Sequence, residues 1–433
     1  MSGPATDETA VDRLLPAYLG RQRWYSGPAP ETATVVEREH LGEGVEWLLV
    51  DAGAARYQVV VGRRPAHAIP EYLHGQDHAV LGVVDGDIAF DATLDPEFAK
   101  VILARVAPGE EGELVRPMGA EQSNTSLVFD DRVVLKLFRR LHPGANPDVE
   151  VTVGLAGQGF ASVAEPVGVW RRAGVDLAVA VRYLAGGAEG WALALTSLRD
   201  LYAGATDDPA AAGGDFAAEA GRLGEVTAGM HLALAGAFGT APGDPAAWAD
   251  LVEAQMARLE AGDVDPVRIK EFVERLRAVR SPGASVRVHG DYHLGQVMRT
   301  DAGWFVLDFE GEPARPLAER QVPSSPLKDV GGMVRSFQYA AAVALSERDA
   351  HEQEALRGRA DAWEGRNRAA FLRGYFATAG IDGLLPAAGP DRDAVLAAFE
   401  VDKAVYEVLY ERAHRPDWVD IPLRAVRRLL DDH

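Results

Sequence analysis

The chain of 433 residues contains no cysteine, and this absence removes a whole class of chemistry. Disulfides, thiolate metal sites and thiol nucleophiles are excluded, so any nucleophile must be an oxygen or a nitrogen atom. Long apolar runs are lacking too, since no uncharged apolar stretch reaches the ~18 residues that a membrane helix needs. The N-terminus carries acids where a signal peptide needs a basic region, so we expect a cytoplasmic chain without a membrane partner.

Positive charge is scarce as well. The 44 Lys and Arg residues stand against 65 Asp and Glu residues, which gives a net charge of −21. Such a chain is poorly suited to nucleic acid or an anionic membrane as its main partner. The hydrophobic content of 47% and charged content of 25% are ordinary for a folded globular protein, and the length allows two or three domains.

The pattern of apolar residues changes twice along the chain. Residues 1–105 begin with a short amphipathic helix and continue as alternating runs typical of antiparallel strands, which predicts a small α+β cap domain. Residues 106–185 alternate in the same way around one helical stretch and predict a β-rich lobe. Gly186 and Gly187 then form a natural hinge. Residues 186–433 have mainly helical periodicity and predict a helical lobe.

The most informative stretch is VRVHGDYHLGQVMRTDAGWFVLDFEGEP, residues 286–313. Two strand-like runs, VRVHG and WFVLDF, flank a polar loop, so that Asp291, His293, Gln296 and Asp308 can gather at the strand ends. Phosphoryl transfer needs a carboxylate near the acceptor hydroxyl and oxygen ligands for Mg²⁺. Asp291 fits the first role, and Gln296 with Asp308 fits the second. The alternative interpretation is an acidic surface hairpin.

Several motifs resemble those of known kinases. His289-Gly290-Asp291, Gln296 and DFEGEP at 308–313 resemble the catalytic loop and metal segment of aminoglycoside-phosphotransferase-like kinases. RQRWYSG at 21–27, LKLFRR at 135–140, SPLKDVGGMVRSFQYAA at 325–341 and DKAVYEVLYERAHRPDWVDIPL at 402–423 are similar to bacterial maltokinases. The resemblance covers nearly the whole chain. It implies an α+β fold, the two-lobed protein-kinase-like fold with an extra N-terminal α+β cap domain and nucleotide between the lobes.

The same resemblance implies an activity. An ATP:maltose 1-phosphotransferase converts maltose and ATP into maltose 1-phosphate and ADP with Mg²⁺, on a route from trehalose to α-glucan (glycogen), and trehalose synthase is an implied partner. Two other functions remain open from the residues. One is a kinase of another acceptor, glucosamine or an aminoglycoside, which the net charge of −21 would help to attract. The other is a catalytically silent kinase-like binding module.

Roles at the phosphate side follow from the resemblance. Asp291 would be the base or orienter for the sugar hydroxyl, with Gln296 and Asp308 as Mg²⁺ ligands and Glu310 as a third ligand or a solvated, ion-paired residue. Lys136 would hold the α- and β-phosphates and pair with Glu150. For Lys136 the alternative is a charge that protects an edge strand from aggregation.

Further nucleotide contacts are implied by position. A phosphate-covering turn is expected at Gln122, Ser123, Asn124, Thr125 and Ser126, where small polar side chains and backbone N–H groups can meet phosphate oxygens. The segment AVRYLAG at 180–186 is expected to contact adenine through the backbone of Arg182, Tyr183 and Leu184.

The C-terminal helix is the candidate sugar site. Tyr406 and Tyr410 lie four residues apart and therefore share one helical face, and saccharide sites combine aromatic faces with planar polar groups. The predicted sugar contacts are His293, Arg320, Tyr406, Tyr410, Glu411, Arg412, Arg415 and Trp418. The alternative is a helix that docks on the body with its tyrosines in the core. We expect His231 to be a packed helix histidine and Trp24 to lie at a domain seam rather than at a ligand.

Overall fold

The structure is a computed structural model that describes residues 9–119, 124–204, 206–312 and 315–432. These residues form two compact units. The first contains the chain up to Glu150 together with Ala164–Ala185, and the second contains Val151–Val163 together with the chain from Gly186 onward. The cap and the β-rich lobe therefore lie in one unit, and the division at 105 stays a prediction from sequence.

The first unit consists of two antiparallel sheets with flanking helices. Its elements are α1 (Leu15–Leu19), β1 (Ala33–Gly42), β2 (Val45–Ala52), β3 (Ala55–Pro65), β4 (Val80–Val84), β5 (Asp87–Asp91), α2 (Pro96–Val106), β6 (Val115–Pro117), β7 (Asn124–Phe129), β8 (Val133–Phe138), β9 (Arg140–Leu141), the first part of α3 (Pro147–Gly157), β10 (Pro166–Arg172) and β11 (Val175–Arg182). One sheet has the order β1-β2-β3-β5-β4 with β9 also on β3, and the other has the order β10-β11-β8-β7-β6.

A tight turn sets the register of β7 and β8. Asp130 and Asp131 have φ angles of 51° and 50°, and the N–H of Arg132 donates to the carbonyl of Phe129 at 2.9 Å. Two successive positive φ angles are the mark of the type I′ turn, whose twist matches that of a hairpin, and Asp tolerates this conformation better than most residues. The turn places Ser126 opposite Lys136.

A buried arginine joins the cap to the second sheet. The Arg139 side chain is 1% exposed and lies 2.7 Å from the Asp91 carboxylate, which also accepts a hydrogen bond from the Tyr18 hydroxyl at 2.6 Å. Trp24 packs over the guanidinium at 5.3 Å, and the Nε–H donates to Thr125 Oγ1 at 2.8 Å. Trp24 thus lies at the junction, as the seam interpretation expects, because its ring covers a buried charge shared by both parts.

The second unit is mainly helical. Its elements are β12 (Ala188–Glu189), α4 (Gly190–Ala203), α5 (Ala217–Phe238), β13 (Thr240–Pro242), α6 (Pro245–Met256), α7 (Pro266–Arg277), β14 (Ala284–Val286), β15 (Val297–Thr300), β16 (Gly303–Val306), α8 (Leu317–Arg320), α9 (Leu327–Ser346), α10 (Ala350–Ala377), α11 (Pro390–His414) and α12 (Asp420–Asp432). Helices α5 and α10 approach closely, since a Cβ atom at Gly224 would lie 2.1 Å from the Phe371 carbonyl oxygen. None of the helices within the described ranges is long and apolar enough to cross a membrane.

The predicted strand VRVHG is only partly correct. The strand ends at Val286, and residues 287–293 form a loop because the N–H groups of His289 and Gly290 bind a side chain instead of a neighbouring strand. The second predicted run is strand β16, which ends at Val306 and pairs with β15. Gln296 and Asp308 therefore flank a hairpin, whereas Asp291 lies on the loop that precedes it.

Candidate active site

The loop that carries Asp291 is anchored by a buried carboxylate. Asp329, in the first turn of α9, accepts hydrogen bonds from the N–H groups of His289 at 2.7 Å and Gly290 at 2.9 Å. His231 Nε2 lies 3.1 Å from the same carboxylate, and its Nδ1 lies 2.8 Å from the Tyr375 hydroxyl. His231 is fully buried on α5, which confirms that it is a packed helix histidine. The anchor fixes the backbone immediately before Asp291.

Asp291 is surrounded by groups that keep it ionised. Its Oδ1 atom lies 2.8 Å from Lys403 Nζ. Burial alone would raise the pKa of Asp291, but the positive charge of Lys403 brings it below the ordinary value. His293 Nδ1 accepts the N–H of Gly295 at 3.0 Å, and Nε2 lies 3.9 Å from Asp291 Oδ2. Burial lowers the pKa of His293 to about 4, so this histidine is neutral near pH 7 and directs a polar N–H toward Asp291.

Lys403 belongs to a larger buried ion network. Its ammonium also lies 3.0 Å from Glu312 Oε1, and Glu312 is paired with Arg315, which in turn lies 3.3 Å from Asp402. Burial raises the pKa of Asp402, whereas the positive charges of Lys403 and Arg315 lower the pKa of Glu312 against its burial. Sequence reasoning missed Lys403. The available signal was its position three residues before Tyr406 and seven before Tyr410, which puts all three on one helical face.

Two candidate metal ligands lie together beside the β15–β16 hairpin. Gln296 Nε2 is 3.4 Å from Asp308 Oδ2, and the N–H of Glu310 is 3.4 Å from Asp308 Oδ1. Asp308 has a φ angle of +57°, a left-handed conformation that is costly for a non-glycine residue and common at functional sites.

The donor chemistry of this pair fits Mg²⁺. Across residues 9–119, 124–204, 206–312 and 315–432, no group of three or more His, Asp or Glu residues is arranged to hold a metal by itself. Mg²⁺ requires no such cage, because it binds through one or two protein oxygens and takes others from substrate phosphates and water. Turning the Gln296 amide over would direct its oxygen to the same point as the Asp308 carboxylate. Ligation by the Glu310 carboxylate stays a prediction.

In the first unit, Lys136 pairs with an acid that sequence reasoning did not select. Lys136 Nζ lies 2.9 Å from Asp148 Oδ2. Asn146 Oδ1 accepts the N–H of Asp148 at 2.9 Å, and this cap holds the first turn of α3 with Asp148 on Lys136. The carboxylate of Asp148 is two residues before the predicted partner Glu150, and pairing of Lys136 with Glu150 stays a prediction. The edge-strand alternative for Lys136 is wrong, because β8 has β11 and β7 on its two sides.

The last three residues of the predicted phosphate-covering segment form a strand instead of a turn, and their contact with phosphate stays a prediction. Asn124, Thr125 and Ser126 form the start of strand β7 and pair with β8. Thr125 Oγ1 accepts from Arg139, and Ser126 is buried, because the strand faces the sheet core rather than an open loop. Gln122 and Ser123 lie outside the described residues.

At the predicted hinge, the polar groups bind within the first unit. Arg182 forms an ion pair with Glu110 at 2.8 Å, and the N–H of Tyr183 donates to the Arg132 carbonyl at 2.9 Å. The Tyr183 N–H is therefore already used, and adenine contact by Arg182, Tyr183 and Leu184 stays a prediction from sequence.

The exposed face of α11 beyond Lys403 is aromatic. Tyr406 and Tyr410 stack with their ring centroids 6.5 Å apart, and His414 stacks on Tyr410 at 4.3 Å. The Lys403 ammonium lies 4.7 Å from the Tyr406 ring, and the Arg415 guanidinium lies 5.8 Å from the Tyr410 ring. With a helical rise of about 1.5 Å per residue, Lys403 and Tyr410 are ~10 Å apart along the axis. An aromatic surface therefore starts beside Asp291 and extends away from it.

This surface continues onto the neighbouring helices. Trp418 lies 4.6 Å from the Arg415 guanidinium and 6.3 Å from the Tyr339 ring, and Tyr339 lies 6.2 Å from Trp191. Glu411 is buried and accepts hydrogen bonds from Tyr339 and Arg415, so it supports the aromatic surface from beneath rather than facing outward.

Two of the predicted sugar contacts bind other residues of the chain. Arg412 binds Asp263 through both carboxylate oxygens, at 2.8 and 2.7 Å, in the connection between α6 and α7. It is nine residues from Lys403, which puts it on the opposite side of the helix, and sugar contact by Arg412 stays a prediction. Arg320 donates to the carbonyl of Arg315 at 2.8 Å and braces the segment after β16.

Comparison with known proteins places this arrangement in a family. Residues 114–372 match the phosphotransferase enzyme family, known as APH, and these residues include the Asp291 loop, Gln296 and Asp308. The chain belongs to the phosphotransferase enzyme family. Residues 18–95 of this phosphotransferase match the maltokinase N-terminal cap domain. Together they confirm the predicted kinase-like fold with an added cap.

The named relatives of this phosphotransferase are glucosamine kinases. It is 30% identical to the glucosamine kinase of Streptacidiphilus jiangxiensis over 90% of both chains. It is 28% identical to that of Mycolicibacterium smegmatis (strain ATCC 700084 / mc(2)155), over 88% of this chain and 98% of the relative. A solved glucosamine kinase in complex with glucosamine, ADP and inorganic phosphate aligns with a TM-score of 0.68 at 25% identity, over 97% of this chain and 99% of the other. These findings support sugar kinase activity and leave the acceptor open.

Proposed function

We propose that this phosphotransferase transfers the γ-phosphoryl group of ATP to maltose and releases maltose 1-phosphate and ADP. The observation that carries the proposal is the position of Asp291, an ionised carboxylate at the start of an aromatic surface on α11. A carboxylate there can orient a sugar hydroxyl and accept its proton as the oxygen attacks phosphorus. The aromatic rings suit the C–H faces of a neutral saccharide that extends from that hydroxyl.

The other residues of the chain have positioning roles. Gln296 and Asp308 would hold Mg²⁺, which supplies charge neutralisation to the phosphates when bound. Lys136, held by Asp148, would bind phosphate oxygens. His293 Nε2 lies 3.9 Å from Asp291 Oδ2, where its neutral ring would favour the ionised carboxylate without a direct hydrogen bond. No residue needs to form a covalent intermediate, since the transfer depends on positioning and electrostatics.

Maltose is favoured over a cationic acceptor by the charges around Asp291. An amino sugar is best recognised by a carboxylate without a counter-ion, whereas Asp291 and Glu312 share Lys403, and Glu407 is paired with Arg335 at 2.5 Å. The match of residues 18–95 to the maltokinase N-terminal cap domain supports the same acceptor. Glucosamine is the second candidate, because the named relatives are glucosamine kinases.

The test is ADP release with Mg²⁺ and ATP on maltose, trehalose, glucose, glucosamine and kanamycin, with the phosphorylated position read by phosphorus NMR. We expect turnover chiefly on maltose with phosphate at C1. Asp291→Asn should abolish turnover while nucleotide binding remains, since the amide cannot accept the proton. Turnover chiefly on glucosamine would replace the acceptor and keep the mechanism. Nucleotide binding without turnover on any acceptor would support a silent binding module.

The place of the reaction in a pathway also stays a prediction. Supply of maltose from trehalose, use of the product for α-glucan synthesis and association with trehalose synthase depend on maltose being the acceptor. Co-purification of the full chain with trehalose synthase would test the association.

A further inference from the structure

Among the residues that the structure describes, Lys403 is the cation that contacts the carboxylate of Asp291. Its side chain is 14% exposed, and its ammonium donates to Asp291 Oδ1 at 2.8 Å and to Glu312 Oε1 at 3.0 Å. An ammonium has three N–H donors and no acceptor. Two donors are used on these carboxylates, which leaves a third, and the ring of Tyr406 lies 4.7 Å from the ammonium.

An acceptor hydroxyl of the sugar that binds Asp291 therefore also lies beside the ammonium of Lys403. A hydroxyl can donate its hydrogen to Asp291 and accept from the ammonium through an oxygen lone pair. An amino sugar bound through the same hydroxyl brings its ammonium close to Lys403, where the two positive charges repel each other and the amine has no lone pair to accept a hydrogen bond. The two acceptor classes thus differ in both hydrogen bonding and electrostatics at this point.

We propose that Lys403 is a specificity-determining residue that selects neutral sugar hydroxyls and disfavours cationic amino sugars, by supplying its own ammonium where an amino sugar would place its cation. This inference rests on the proposed function, since it assigns the acceptor class of the same site. The charged and titratable groups that act on Lys403 and its partners are His289, Asp291, His293, Glu312, Arg315, Lys328, Asp402, Tyr406 and Glu407. Removing Lys403 would leave Asp291 without its counter-ion and Glu312 with Arg315 only.

The first measurement uses the unmodified protein. Glucose and glucosamine differ only by a hydroxyl and an amine at one carbon, so their dissociation constants, measured by calorimetry with ADP and Mg²⁺ present, isolate the effect of the charge. We expect glucose to bind at least about tenfold more tightly. Glucosamine binding as tightly as glucose, or more tightly, would overturn the inference, whereas loss of maltose turnover alone would overturn only the proposed function.

The second measurement changes Lys403. In Lys403→Met, which keeps the length and removes the charge, the ratio of kcat/KM for glucosamine to kcat/KM for maltose should rise by about tenfold or more. Lys403→Arg keeps the charge and should leave the ratio within about threefold. Lys270→Met, at an exposed site on α7, is the matched control for loss of a lysine.

A merely structural role of Lys403 gives a different result. If Lys403 only holds Asp291 in place, Lys403→Met lowers kcat for both sugars by the same factor and leaves the ratio unchanged, which would overturn the inference. If Lys403→Met fails to fold, Lys403→Gln removes the same charge and keeps a polar NH₂ group that can donate to the two carboxylates. The comparison of glucose and glucosamine binding to the unmodified protein tests the inference without any variant.

Discussion

Replacing Asp329 by Asn should disable the loop that carries Asp291. The carboxylate accepts from the backbone N–H groups of His289 and Gly290 and from His231, and the residue is 1% exposed. The side chain of Asn has only one acceptor oxygen. In either orientation its NH₂ group therefore faces a backbone N–H group and cannot accept a hydrogen bond from it. A hydrogen bond to a charged group contributes about 1.5–3 kcal/mol, and a buried donor left unsatisfied costs about 1–3 kcal/mol.

Together these contributions give a loss of about 3–5 kcal/mol in the free energy of unfolding. For a unit of this size the melting temperature falls by about 2–4 °C per kcal/mol, which gives a drop of roughly 6–20 °C by scanning calorimetry. The turnover number should fall as well, since the backbone before Asp291 loses its anchor.

The same variant has a definite pH dependence. Burial alone would raise the pKa of Asp329, but His231 and the backbone N–H groups bring it below the ordinary value. A depressed pKa gives stability that is present above the unfolded value of about 3.9 and is lost as the pH falls through the folded value. The difference in melting temperature between the wild type and Asp329→Asn should therefore be full at pH 7 and shrink below about pH 4.

The matched control is Asp301→Asn, which makes the same chemical change in the exposed turn between β15 and β16. Its melting temperature should stay within about 1 °C of the wild type. A wild-type melting temperature and turnover number in Asp329→Asn would refute the anchoring role.

Three further predictions concern other parts of the second unit. Asp308→Ala should abolish the Mg²⁺ dependence of ADP binding measured by calorimetry, and undiminished binding would remove Asp308 from the metal site. Tyr410→Ala should raise KM for maltose more than KM for ATP, whereas equal increases would argue against sugar contact by α11. Asp402→Asn should cost much less stability at pH 7 than Asp329→Asn, because burial raises the pKa of Asp402 and its ionised form is disfavoured in the folded chain; an equal fall in melting temperature would contradict this.

The sequence predicted best those parts of the site that lie close together along the chain. Asp291, Gln296 and Asp308 fall within 18 residues, and two apolar runs frame them, so their chemistry could be recognised from residue type and spacing. The structure brings Gln296 and Asp308 together as expected. The kinase-like fold with a cap was predictable for the same reason, since its motifs occur in order along the chain.

The residues that sequence reasoning missed act across long separations. Lys403 is 112 residues from Asp291, and no local sequence pattern predicts which acidic residue a lysine on a helix will contact. Asp148 lies in the first turn of α3, and its contact with Lys136 depends on the Asn146 cap and on the rotation of the helix against β8. The sequence predicts a turn at Asn124–Ser126, because small polar residues occur in turns and strands alike, whereas pairing with β8 makes these residues the start of a strand.

The burial of Arg139 limits how far this chain can be shortened. A truncated chain without residues 1–105 would lose Asp91, Tyr18 and Trp24, the groups that neutralise and cover the guanidinium. A buried charge left without its partner costs about 3–5 kcal/mol, a large share of the stability of most domains. Arg139 follows directly after β8, so the penalty would fall on the strand that carries Lys136. We therefore expect that a stable chain carrying Lys136 must include the cap, because residues of the cap neutralise and cover Arg139.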